Sequence, residues 1–315
     1  MIELCNELGA DPWFCMPHRA DDTYVDNFAT MVLDGVPASN IPPLHTVAKI
    51  YVEWSNEVWN NRSTPTDVYD WVANNAVPGE YHPMGGGANI VFFDKWADEA
   101  ANDFKRWHQV FAGQEDRIVR VAAGQAANVW VTDKLTDRLK DRVNVAEQFD
   151  AISCAAYFGD NNASITASTT AQEVLFDMHG DPTATPPVVG RAMAESIGYY
   201  QGHGLSPGAP TGLAQQLTDH MGRDISFIAY EGGQHYISGL IYQSIKDAQR
   251  MPEIYDAVFE NLTAFKDAGG SLFMSFNFIN DQDDNNGPWG HMEYQDQSLI
   301  DAHKMRAVLD FPNHE

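Results

Sequence analysis

The chain has 315 residues, enough for one α/β barrel with insertions or for two ordinary domains. Apolar residues make up 44% and charged residues 20%, which excludes a disordered chain. Acidic residues number 44 against 19 basic ones, for a formal charge of −25; phosphate binding needs clustered Lys and Arg, so nucleic acid and anionic membranes are disfavoured as partners.

Met1, Leu4, Cys5 and Leu8 fall at i, i+3, i+4 and i+7, so the chain opens in a helix, which Gly9 ends. Trp13–Met16 reads as a short strand closed by Pro17. Asp21 or Asp22 caps a helix whose Val25, Phe28, Ala29 and Val32 share one face and which Asp34-Gly35 stops. Val47–Trp54 reads as a strand. The stretch 60–89, rich in Asn, Pro and Gly, reads as an insertion loop with little structure of its own. A helix with Trp96, Ala100, Phe104, Trp107 and Phe111 in its core stripe precedes a strand over Ile118–Ala122. A helix over about Val131–Asp141 leads into the strand Ala151–Tyr157. From Asn161 to Arg223 the pattern is less legible, with helical pieces at Ala171–Met178, Val188–Tyr200 and Leu213–Met221. Ile225–Tyr230 is a strand. The helical region after it breaks or restarts at Pro252 and ends at Gly269-Gly270, before a strand over Ser271–Phe278. A helix near Leu299–Leu309 comes last.

Strand and helix alternate throughout, which predicts a parallel sheet with helical crossovers. Six strands are visible, with an orphan helix in front, whereas a closed barrel needs eight units. Two architectures fit: a doubly wound open sheet, or a (β/α)8 TIM barrel whose first two strands lie upstream of Met1. On the second, residues 1–315 are a single partial barrel with an insertion at about 60–93 and a long connection at about 158–224. No apolar run approaches the ~20 residues that span a bilayer. Met1–Cys5 lacks the basic region of a signal peptide; a lost upstream signal would make the protein extracellular or periplasmic. Cys5, Cys15 and Cys154 are too few for a disulfide framework, and their apolar settings predict buried thiols.

The segment Tyr51-Val52-Glu53-Trp54-Ser55-Asn56-Glu57-Val58-Trp59-Asn60 runs from a strand into a polar loop. Carboxyl ends of parallel strands form the active-site face of α/β proteins, and Glu57 sits at such an end. Asn56 offers a neutral donor and acceptor for a hydroxyl, or forms the turn. Trp54 and Trp59 stack on a sugar ring or pack under the loop. A second apolar strand ends in Glu231, followed by Gly232-Gly233, which let the backbone turn beside it. A carboxylate in apolar surroundings wants a reason. Two Glu at strand ends can form the acid and nucleophile pair of glycoside hydrolysis.

Asn-Glu after one strand and Glu three strands later resembles the retaining glycoside hydrolases of clan A, which are (β/α)8 barrels. In that clan the acid/base follows strand four and the nucleophile ends strand seven. Glu57 follows the second visible strand and Glu231 ends the fifth, so adding two missing strands brings the counts together. The run Glu53 to Asn60 also looks like a poorly characterised bacterial group, some of whose members carry cellulose-binding labels. The resemblance implies Glu57 as acid/base, Glu231 as nucleophile and Asn56 on the substrate 2-hydroxyl. It implies Tyr157 as the aromatic that bonds the nucleophile and His18 as a polar contact to substrate. His235, close to Glu231, and Asn277 are further substrate contacts. Strand eight of the clan ends in Trp, whereas here it reads Phe276-Asn277-Phe278, with Trp289 as a substitute.

Other readings stand beside these. Glu53 is expected in a buried ion pair, with Arg120 one candidate partner, and Tyr157 is equally a core residue. His18, His235 and His291 lie in loops after strands and read as loop or rim residues beside their reading as ligands. Asp281, Asp283, Asp284, Asn285 and Gly287 lack the closing Glu of a calcium loop and read as a solvated acidic loop. Gly85-Gly86-Gly87 reads as a hinge. The expected activity is retaining hydrolysis of a poly- or oligosaccharide, with no cofactor and no metal. Its rivals are a non-catalytic carbohydrate-binding barrel and a metal-dependent hydrolase using His18, Asp21, His235 and Asp281.

Overall fold

The structure is a computed structural model and describes residues 1–60, 67–76, 88–126, 128–140, 142–159, 165–200, 224–237 and 240–313. Its strands are β1 (Trp13–Met16), β2 (Ile50–Trp54), β3 (Ile118–Ala123), β4 (Ala151–Phe158), β5 (Gly180–Asp181), β6 (Val188–Val189), β7 (Ser226–Gln234) and β8 (Gly270–Phe273). Its helices are α1 (Ile2–Leu8), α2 (Asp22–Asp34), α3 (Val68–Asn75), α4 (Ala88–Val110) and α5 (Val129–Lys140). They continue with α6 (Ala171–His179), α7 (Arg191–Tyr200), α8 (Gln243–Ala248), α9 (Ile254–Asp267) and α10 (His303–Asp310). The fold is α/β, with a mostly parallel central sheet of six strands in the order β1-β2-β3-β4-β7-β8, flanked by helices. β5 and β6 form a separate antiparallel pair. The chain divides into two compact units, Met1–Ser153 with Thr218–Ser226, and Cys154–Leu217 with Phe227–Glu315.

In the first unit, Asp21 caps α2 by accepting the Tyr24 N–H at 2.8 Å, and the helix buries Val25, Ala29 and Val32. The expected stripe of α4 is core: Trp96, Phe104 and Trp107 are buried, and Trp107 stacks on Phe14 at 5.9 Å. Arg106 ties α4 to Asp22 and Asp26 of α2. The stretch expected to lack structure contains α3, because Val68 and Val72, at i and i+4, bury one face and outweigh the Asn content. Gly85-Gly86-Gly87 lies outside the described residues. Cys15 is exposed on β1, contrary to expectation, while Cys5 and Cys154 are buried.

Arg120 pairs with Asp150, at 2.7 and 2.6 Å, rather than serving Glu53. The register explains this: Arg120 is paired with Val52, and side chains alternate faces along β2, so Glu53 points the other way. Glu53 is buried and accepts the Trp13 indole N–H at 2.9 Å.

The second unit packs Phe158 with Leu175 and Met178 of α6, Met193 of α7, and Ile254, Val258 and Leu262 of α9. A Thr170–Glu173 capping box starts α6. Buried Asn261 donates to Ala156 O at 3.2 Å and accepts the Tyr200 hydroxyl at 2.7 Å. Pro252 separates α8 from α9, as its missing N–H requires.

Five boundaries differ from expectation by three residues or more. β2 begins at Ile50, not at Val47, which is exposed. Val188 and Val189 form β6, and α7 begins only after Gly190. β7 continues through Glu231 to Gln234 instead of turning at the two glycines. A Cβ on Gly232 would lie 2.6 Å from Ala156 O, so glycine serves close strand packing there and not a turn. β8 ends at Phe273, short of Phe278, and α10 starts at His303. The helical piece expected at Leu213–Met221 lies outside the described residues.

These buried polar groups can be tested by substitution. Asp150→Ala strands the buried Arg120 guanidinium and is expected to cost about 3 kcal/mol, read by urea unfolding. Asp103 on α4 is only 4% exposed, and burial, with Glu99 adding, pushes its carboxyl up to about 8 from an ordinary 3.8. The native state then keeps a proton that the unfolded chain has released. Its contribution is full below the unfolded value, shrinks as pH rises and levels off above the folded one. Asp103→Asn lacks this titration, so the Tm difference between variant and wild type widens from about pH 5 to about pH 8. A constant difference contradicts the assignment.

Candidate active site

Beyond β2 the chain cannot continue as a strand. Ser55 donates its N–H to Met16 O at 2.7 Å, and Ser55 and Glu57 adopt left-handed backbone, φ 60° and 45°. For residues other than Gly or Asn this conformation costs about 1 kcal/mol. The turn is fixed by buried Val58 and by Asn60, whose N–H donates to Glu57 O and whose Nδ2 donates to Glu57 Oε2, both at 2.8 Å. Glu57 and Asn56 are half-buried beyond the C-terminal end of the strand. Trp54 is buried and packs on Trp71 at 6.1 Å, whereas Trp59 is half-buried.

His18, two residues past β1, sets Nε2 3.0 Å from Asp67 Oδ1. Burial lowers the imidazole pKa, and the Asp67 charge opposes that only in part. The His18 ring meets Trp71 edge-on at 5.7 Å, and the Lys95 ammonium lies 5.2 Å over the Trp71 ring. Sequence reasoning misses Trp71 and Lys95. A signal exists for the first: Val68, Trp71 and Val72 fall at i, i+3 and i+4 in the stretch read as loop.

In the second unit, Glu231 is half-buried within β7, and Tyr157 lies near the end of β4. His235 donates its backbone N–H to Phe158 O at 2.8 Å, which brings its ring to 4.8 Å from that of Tyr157. A Cβ on Gly233 would stand 3.1 Å from Phe276 O and 3.9 Å from the His291 ring. The Phe276–Asn277 peptide is cis, and Trp289 packs edge-on to Phe276 at 5.8 Å. Asn277 Oδ1 and Trp289 Nε1 are buried atoms without hydrogen-bond partners among the described residues. Buried Lys304 donates to Pro288 O at 2.9 Å, and Gln234 donates to the same oxygen at 3.0 Å, so the Trp289 loop is tied to the end of β7. His291 bonds Ser275 Oγ, and burial with the nearby Lys304 pushes its pKa down to about 3, so it is neutral.

The acidic loop is not merely solvated. Lys246 donates to Asp283 O at 2.8 Å and Asn285 Oδ1 at 2.7 Å, and Arg250 pairs with Asp283 at 3.0 Å. Among the described residues no group of three or more His, Cys, Asp or Glu could hold a metal ion, and no helix is long and apolar enough to cross a membrane.

The first unit thus gathers His18, Asn56, Glu57 and Trp59 beyond β1 and β2, and the second gathers Tyr157, Glu231, His235, Asn277 and Trp289 around β7. No protein-family model matches the chain, and no curated protein matches it.

The left-handed Glu57 generates a test that needs no substrate. Glu57→Gly is expected to raise stability by up to about 1 kcal/mol, less the lost Asn60 bond, while Glu57→Ala does not. Urea midpoints measure both; a glycine variant less stable than the alanine variant contradicts the strain.

Proposed function

We propose that this protein is a retaining glycoside hydrolase acting on a neutral poly- or oligosaccharide. The six-stranded sheet is read as six units of a (β/α)8 barrel, with the carboxyl ends of its strands as the active face. One observation carries the reading: Glu57 stands in strained left-handed backbone just past a parallel strand, where Gly or Asn would serve a plain turn at lower cost. Strain at an acidic side chain beyond a strand end supports a role for that side chain.

In this reading Glu231 attacks the anomeric carbon while Glu57, protonated, gives its proton to the departing oxygen. A glycosyl ester forms on Glu231 and the leaving alcohol departs. Glu57, now a carboxylate, takes a proton from water, which attacks the anomeric carbon and releases the sugar with its original configuration. Asn60, bonded to Glu57 Oε2, orients the acid/base. Asn56, His18, His235, Asn277 and Trp289 are assigned to sugar hydroxyls, with Tyr157 supporting the nucleophile. The mechanism requires the two carboxyls to work about 5–5.5 Å apart.

Azide chemistry tests the assignment on a panel of aryl glycosides whose leaving groups run from good to poor. Glu231→Ala is expected to abolish turnover, with azide restoring it as the glycosyl azide of inverted configuration. Glu57→Ala is expected to lose about 10²–10⁴ in rate on poor leaving groups and to yield the azide of retained configuration. Wild-type protein inert toward the whole panel, or variants as active as wild type, would overturn the proposal.

A further inference from the structure

The second unit carries an open cavity of about 340 Å³ between the start of α6 and the β6–α7 junction, and no residue of the proposed active site lines it. We propose that it is a separate binding site for a neutral pyranose of a glycan chain. This site stands on its own lining and not on the catalytic reading.

Phe176 and Val189 line the cavity and are 53% and 51% exposed, so they offer an apolar surface to the C–H face of a sugar ring. Thr169, Glu173, Asp177 and Arg191 surround that surface with hydroxyl, carboxylate and guanidinium groups. They are preset. Arg191 donates to Asp177 at 2.8 and 2.6 Å and to Glu195 at 3.3 Å, using three of its five N–H donors. The Tyr236 hydroxyl holds Asp177 Oδ2 at 2.5 Å. Both Thr170 bonds to Glu173 fall on Oε2, which leaves Oε1 for a ligand. Planar carboxylate and guanidinium groups bond neighbouring hydroxyls in pairs, the pattern that a pyranose presents.

Charge selects among ligands. Two lining carboxylates outnumber the one guanidinium, whose charge is already met by Asp177 and Glu195, so phosphate and sulfate are repelled. An alkyl ammonium would face Arg191 and leave the apolar surface uncovered. A neutral polyol with one apolar face satisfies every group named. A cavity of this size also sits at the small end of ligand pockets and suits one or two sugar rings.

The test places 4-fluorophenylalanine at position 176 and follows its fluorine resonance in the full chain during titration with cellohexaose, xylohexaose, mannohexaose and maltohexaose. A saturable shift with at least one of them is expected, unchanged by Glu231→Gln. Thr169→Val removes a half-buried hydroxyl that accepts the Thr166 N–H at 2.9 Å, and is expected to weaken that binding roughly tenfold in protein that still unfolds cooperatively. Silence toward all four glycans overturns the proposal, and so does a shift that Thr169→Val leaves intact. A response to sulfated oligosaccharide or spermidine in place of neutral glycan also overturns it. Failure of the azide experiment leaves this result standing, so the two readings fail separately.

Discussion

The hydrogen bond from Ser55 N–H to Met16 O fixes how the chain leaves β2, and the candidate chemistry depends on that exit. It extends the parallel pairing of β1 and β2 by one residue, then forces the backbone to turn while still over the sheet. Ser55 and Glu57 accept left-handed φ values, and buried Val58 anchors the next turn of chain. A carboxylate aimed by its own backbone loses little rotamer freedom when it acts. Asn60 removes more of that freedom by bonding Oε2. Left-handed backbone also occurs at Asn40 and Asp67, but among the described residues only at Glu57 does it follow directly on a strand of the central sheet with a carboxylate.

The second unit solves a different problem with buried polar groups. Lys304 lies in the core with its pKa lowered well below the ordinary lysine value by burial. It is tolerated because Gln249 Oε1, Gln282 Oε1 and Pro288 O all accept from it, at 3.0, 3.1 and 2.9 Å. Gln282 in turn donates to Gly290 O at 2.6 Å. The loop bearing Trp289 and His291 is therefore set by side-chain bonds to its backbone together with a short parallel pairing of Met292 with Ile279. Such a network is satisfied as a set, and removing one member leaves several buried acceptors exposed to the same deficit.

Much of the architecture was legible because parallel α/β chains write their alternation into hydrophobic period. Trp13–Met16 as strand, the α2 stripe from Val25 to Val32 and the Pro252 break all read directly. The misreadings have physical sources. α3 shows its period only in Val68, Trp71 and Val72, a short signal that the surrounding Asn and Pro content outweighs on paper. Gly232-Gly233 looked like a turn because conformational freedom and lack of a side chain are indistinguishable in sequence. Here the second matters at Gly232, against Ala156 O and the Phe273 ring. Glu53 and Arg120 attract each other on paper, yet pleat alternation puts them on opposite faces and leaves Asp150 to Arg120. At the candidate site, Asn56-Glu57 was visible as a strand-end motif. The strain at Glu57 and the presence of Trp71 beside His18 were not, since both arise from backbone paths that only the folded chain defines.

Covalent glycosylation of Glu231 during turnover is the step on which the proposed chemistry stands. Incubation with 2-deoxy-2-fluoro glycosides bearing good leaving groups slows breakdown of that ester, and peptide mass spectrometry then locates it. One added fluoroglycosyl group is expected on the peptide containing Glu231, lost in Glu231→Gln. An adduct on another residue, or no adduct from any sugar in the series, would contradict it.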